Sequence, residues 1–188
     1  MKDKVIEKKI MLIRTDEVWQ SNLKSQNLKG KEVCLPRADQ RNFKALKSVE
    51  KLYFLDSTLD TNEYLISGVG VYLRFDGLVK INDILNKYSN CGYKKEREIY
   101  KIIPFEKLLI NELSCIIIEK VEFFKEPISI KKLNIPFASC IQSCKTFDER
   151  VGEIIDSVNK VILQINSNQM NKKDVINTVY QTASLSFN

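Results

Sequence analysis

The sequence predicts an α+β fold, a small mixed β-barrel surrounded by several helices, and three observations carry that prediction. Five or six short β-prone runs are separated by a few helical stretches, regular βα alternation is missing, and Gly68 and Gly70 interrupt a long strand-like segment. Paired glycines inside a strand mark a bulge or a sharp bend, which barrels use to turn corners. Irregular order of strands and helices argues against a doubly wound sheet.

Residues 9–14 form the first β-prone run, and Thr15, Asp16 and Glu17 then give a helix-start signature with Thr15 as the capping residue. The helix carries Val18, Trp19 and Leu23 and ends by Gly30. Residues 32–35 read as a second strand stopped by Pro36, and Phe43 and Leu46, three apart, suggest one or two basic helical turns over 40–47. A short apolar run at 52–55 is closed by Asp56, Ser57 and Thr58, and the long strand follows over 63–75.

Val79, Ile81, Ile84, Leu85 and Tyr88 fit one helical stripe, which breaks at residues 90–92, and a further short helix is expected over 96–102. Residues 113–124 are the most β-rich, with Val121 and Phe123 alternating with Lys120 and Glu122; 126–130 reads as an edge segment. An amphipathic helix is expected over 146–163, with Val151, Ile154, Ile155 and Val158 inward. The expected domain is 1–157, and 158–188 reads as a helical appendage or tail with a last helix around 175–180.

Composition narrows function. The chain has 188 residues, net charge +6, five cysteines and no histidine, so His-based nucleophile systems, His-ligated zinc and the imidazole pH switch are excluded. Cys34, Cys91, Cys115, Cys140 and Cys144 form no C-x-x-C pair, and reduced, mostly buried thiols are expected, with no metal and no cofactor. No apolar run approaches the ~20 residues of a membrane span, and residues 1–4 lack an apolar signal region, so a cytoplasmic protein is expected. Residues 24–51 hold eight basic side chains against three acidic ones, a concentration that a phosphate backbone would recruit.

Residues 43–57 run on to 64–72 in a way that resembles the EVE and ASCH domains of the PUA-like superfamily. Leu55, Asp56 and Ser57 take the place of a Tyr-His-Ser-like triplet, the segment 66–71, with Ile66 and Gly68, that of the family's Ile-x-Gly strand, and residues 116–133 look like the final strand and its turn. The likeness covers roughly residues 10–157. It implies a PUA-like pseudo-barrel that binds DNA or RNA and accepts an extruded, modified base in its mouth, where ring stacking and edge hydrogen bonds offset unstacking. Trp19, Tyr72 and Phe75 are then the pocket walls, Ser57 supplies an edge hydrogen bond, and Arg14, Arg37, Arg41, Lys44, Lys47 and Arg74 hold phosphates. Two alternatives stay open: an ASCH-like hydrolase of modified nucleosides or RNA, which needs a Lys of depressed pKa that no spacing singles out, and an interaction or regulatory module whose basic segment meets an acidic partner.

Overall fold

A computed structural model describes residues 8–38, 44–58, 63–103, 110–135, 143–168 and 172–185. Its elements in chain order are β1 (Lys9–Arg14), α1 (Glu17–Lys24), β2 (Val33–Arg37), a 3-10 turn η1 (Lys44–Ser48), β3 (Val49–Thr58), β4 (Glu63–Lys80), α2 (Ile81–Lys87), α3 (Glu96–Tyr100), β5 (Glu112–Ser129), α4 (Ile130–Leu133), β6 (Cys144–Asp148), α5 (Glu149–Asn168) and α6 (Lys172–Leu185). The α+β class is as the sequence predicts.

The strands form one six-stranded sheet in the order β2-β5-β4-β3-β1-β6. Among the described residues the sheet ends on β2 and β6 without joining them, so it is open where the sequence predicts a closed barrel. Both end strands have five residues, and short edges limit further pairing without closure. β2 pairs antiparallel with residues 114–118 of β5, and Pro36, which has no N–H to give a ladder, is tolerated on this terminal strand. β6 pairs antiparallel with β1, setting Lys9 opposite Asp148 and Ile13 opposite Cys144.

Several boundaries differ from expectation. Residues 146–148 belong to β6 and not to the following helix, because β1 offers them a ladder that outweighs helical continuation. β4 and β5 each run for 18 residues, past the expected ends at Phe75 and Phe124. The positive φ values in these strands fall at Gly77 (75°) and Lys120 (50°), and neither Gly68 nor Gly70 has one.

The chain divides into two compact units. The first comprises Met1–Arg14, Lys51–Val69 and Phe123–Asn188, and the second Thr15–Glu50 and Gly70–Glu122. In the first, Ile10, Leu12, Tyr53, Leu55 and Ile66 pack with Val151, Ile155, Val158 and Ile162 of α5. Their spacing along α5 puts one apolar stripe on the core. Gly152 lets that helix approach: a Cβ there would lie 2.8 Å from Ile10 Cγ2 and 3.1 Å from the Tyr53 hydroxyl. The expected boundary at 157/158 falls inside α5, which continues to Asn168. Tyr180 of α6 is buried, and its hydroxyl accepts from the Ser129 N–H at 3.1 Å, so α6 packs onto this core.

In the second unit Trp19, Leu23, Val33, Leu35, Ile84, Ile99 and Leu113 are among the buried apolar side chains. No helix among the described residues is long and apolar enough to cross a membrane.

A polar cluster at the start of α1

The first turn of α1 is built by Asp16. Its backbone is extended (φ −96°, ψ 158°) and its carboxylate accepts from the Trp19 N–H at 2.9 Å, so the helix cap is Asp16 where the sequence suggested Thr15. An N-cap carboxylate satisfies an otherwise orphan amide and suits the positive end of the helix. The Tyr93 hydroxyl donates to the other carboxylate oxygen. Burial first, and then the Asp16 charge, push the Tyr93 phenol far above its ordinary range, while Arg37 acts on it in the opposite direction. The phenol therefore stays a donor.

Arg37 closes β2 and stands directly opposite Ser114 of β5, so both side chains lie on one face of the sheet. Gln20, one helical position past Trp19, is 2% exposed. Its Nε2 donates to Thr15 Oγ1 at 2.8 Å, while its carbonyl oxygen and the Ser114 hydroxyl are buried without a hydrogen-bond partner. An unmatched buried carbonyl costs about 1–3 kcal/mol, and native folds keep few of them. Thr15, Asp16, Arg37 and Ala38 are half-buried, so the cluster reaches the surface on their side.

Trp19 fixes this arrangement from beneath. It is fully buried, its indole N–H donates to the Cys34 carbonyl at 3.1 Å, and its ring lies against Gly92. The ring is thus closed off from a base; the residue expected as a pocket wall is a core support. Gly92 has φ +72°, and a Cβ there would come within 2.3 Å of Trp19 Cδ1, so only glycine fits. Asn22 Nδ2 donates to the Gly92 carbonyl at 3.0 Å, which ties the loop before Tyr93 to α1.

The other predicted residues are placed as follows. Tyr72 and Phe75 are half-buried on β4, three residues apart, and burial followed by the Asp76 charge raises the Tyr72 phenol. Arg74 is held by Glu32 through two hydrogen bonds of 2.8 Å and by Asp76 at 2.8 Å. A phosphate there would have to displace two carboxylates. Tyr88 also donates to Asp76, at 2.9 Å. Arg14 lies in the first unit, its guanidinium 5.6 Å from the Tyr64 ring centre. Lys47 is exposed on η1. Arg41 and the side chains of Lys44 and Ser57 lie outside the described residues. Of the predicted residues whose side chains are described, Arg37 is the one that joins the cluster at the start of α1; Asp16 entered the sequence reading only through the helix-start signature, and Gln20, Tyr93 and Ser114 did not enter it as site residues.

Exposed lysines border the same elements. Lys29 and Lys31 lie on the α1–β2 loop and Lys94 and Lys95 follow Tyr93; none of the four forms an ion pair with a described residue. Elsewhere, a groove of about 490 Å³ between α5 and α6 has Ile154, Val158, Val161 and Val179 in its walls and Arg150 and Glu153 on its rim. Ser157, Thr178 and Thr182 also line it, and the Ser157 hydroxyl donates to the Glu153 backbone carbonyl at 2.7 Å. Cys34, Cys91 and Cys115 are buried thiols outside any disulfide, Cys144 is a half-buried one, and Cys140 lies outside the described residues. No group of three or more His, Cys, Asp or Glu among the described residues is arranged to hold a metal ion. No family model, curated protein or solved structure matches the chain.

Proposed function

We propose that this chain is a nucleic-acid-binding module of PUA-like architecture, working in the cytoplasm, in which the cluster at the start of α1 takes the edge of one base. The observation that carries the reading is the polar cluster in which Tyr93 donates to the helix-capping Asp16 within electrostatic reach of Arg37, with a buried, unpartnered Gln20 carbonyl on the same helix. Such a site has an acceptor in Gln20, a hydroxyl in Ser114 and a permanent cation in Arg37, all of them polar groups that specify a base edge or a sugar-phosphate oxygen. Lys29, Lys31, Lys94 and Lys95 supply sequence-independent attraction to the backbone.

The reading differs from the sequence expectation in where the base goes. Trp19 is withdrawn into the core, so edge hydrogen bonding replaces a tryptophan stacking wall. Binding without turnover is favoured over hydrolysis because the cluster pairs its one carboxylate with a helix amide and a phenol, which leaves no base aimed at a nucleophile.

Fluorescence anisotropy with labelled single-stranded and duplex RNA and DNA tests it. The expected result is saturable binding to at least one of them, weakened about tenfold or more by Arg37→Gln with unchanged thermal stability. Absence of binding to all four probes at low salt, or full affinity in the Arg37→Gln variant, would contradict it.

A further inference from the structure

We infer, independently of the nucleic-acid reading, that the groove between α5 and α6 binds a monomeric single-chain amphiphile with a zwitterionic head, the chemistry of a lysophospholipid. Both helices belong to the first unit, and the groove between them has a volume of about 490 Å³. Small-molecule sites span roughly 300–1,000 Å³. Ile154, Val158 and Val161 of α5 form its apolar walls with Val179 and Ala183 of α6. Val158 is part of the first unit's core, and Ile154, Val179 and Ala183 pack against that core, so the walls are in place before anything binds. None of the residues lining the groove is aromatic, which leaves no platform for stacking a planar ligand and no ring anchor of the kind that dominates protein docking.

The walls select the body of the ligand. Ser157 and Thr182 donate their hydroxyl protons to carbonyls four residues back, Glu153 at 2.7 Å and Thr178 at 3.0 Å, so neither keeps a proton for a guest. Branched aliphatic surface flanked by such hydroxyls suits an alkyl chain. Arg150 and Val161 stand eleven positions apart on α5, about 16 Å of helix, a length that an extended chain of about twelve carbons matches. The rim selects the head. Arg150 and Glu153 are exposed, opposite in charge and three residues apart, and neither forms an ion pair with a described residue. An anionic head would meet the guanidinium with a like charge beside it, and a cationic head would meet the carboxylate with the same handicap. A head that carries both charges complements both side chains. The alkyl chain supplies most of the affinity and the exposed charges supply the choice of head.

Calorimetric titration of the full chain with dodecylphosphocholine, kept below its micelle concentration, tests this against octylphosphocholine, dodecanoate and dodecyltrimethylammonium. One saturable site is expected, with the dodecyl chain binding about tenfold or more tightly than the octyl chain. The two singly charged amphiphiles should bind about threefold or more weakly than dodecylphosphocholine. Glu153→Gln should narrow the gap for dodecanoate, and Arg150→Gln should narrow it for dodecyltrimethylammonium, a crossover that a merely structural role of either residue would not produce. Amide shifts on binding should centre on α5 and α6, and Ala183→Trp, which fills the groove, should remove binding of all four. Absence of saturable binding, or shifts centred away from those two helices, would overturn the site. Dodecanoate or dodecyltrimethylammonium binding as tightly as dodecylphosphocholine would overturn the zwitterionic head. Association with phosphatidylcholine vesicles without binding of the monomer would overturn the inference too, by showing a membrane surface in place of a single chain. The wild-type comparisons stand even if Ala183→Trp does not fold.

Discussion

Gly92 is the position where one atom decides most. A side-chain methyl there would meet two penalties at once: a left-handed backbone at φ +72°, and an approach of 2.3 Å to Trp19 Cδ1, on a buried ring that is itself hydrogen-bonded to Cys34. Gly92→Ala is expected to lower stability by about 3 kcal/mol in urea unfolding. A loss under about 1 kcal/mol would mean that Trp19 is free to move. A second residue-scale prediction concerns Glu32. The Arg74 hydrogen bonds hold its carboxyl below the ordinary carboxylate value. A depressed carboxylate contributes stability above its unfolded pKa, about 4.3, and that contribution is lost as pH falls through the folded value. The melting temperature of Arg74→Gln should therefore lie below wild type at neutral pH, with the gap closing under acid; a gap that persists unchanged at about pH 2 would contradict the assignment. At this scale Arg37 was legible from charge alone, whereas Gln20 and Ser114 were not, since a missing partner is a property of tertiary packing and leaves no trace in spacing.

Among the elements, α5 shows how packing and polar pins act together. Its apolar stripe faces the first unit's core, and Asp156 accepts from Lys51 at 2.6 Å and from the Tyr53 hydroxyl at 2.8 Å, pinning the helix to β3. Burial, then the Asp156 charge, push the Tyr53 phenol upward and keep its proton in that bond. Tyr53→Phe should cost about 1 kcal/mol and speed amide hydrogen exchange around 152–156. Unchanged exchange there would show that the stripe alone seats the helix. That stripe was readable because Val151, Ile155 and Val158 recur at helical spacing over several turns. β6 was not, because its five residues are half-buried or exposed and owe their extended form to pairing with β1. The extension of β4 beyond Phe75 was hidden for a related reason: Asp76 and Gly77 look like a turn, yet Gly77 is accommodated at positive φ within the strand.

On the scale of the whole molecule, the open order β2-β5-β4-β3-β1-β6 departs from the predicted barrel because closure depends on how the two outer strands meet, and composition and periodicity describe each strand separately. Charge is the global property that the functional reading uses. With net charge +6, and Lys29, Lys31, Lys94 and Lys95 exposed on the second unit, log affinity for nucleic acid should fall linearly with log salt. Charge reversal at Lys29 and Lys31 should weaken all sequences alike and reduce the slope by about one for each phosphate that is no longer neutralised. A slope unchanged by that reversal would place the backbone elsewhere on the chain.

The most direct measurement is an amide NMR titration of the ¹⁵N-labelled protein with an oligonucleotide chosen from the binding panel. The backbone amides of Thr15, Asp16, Gln20, Arg37, Tyr93 and Ser114 are expected to shift together along one binding curve, along with the Gln20 side-chain amide. Perturbations confined to α5 and α6, with those signals unmoved at saturation, would contradict it.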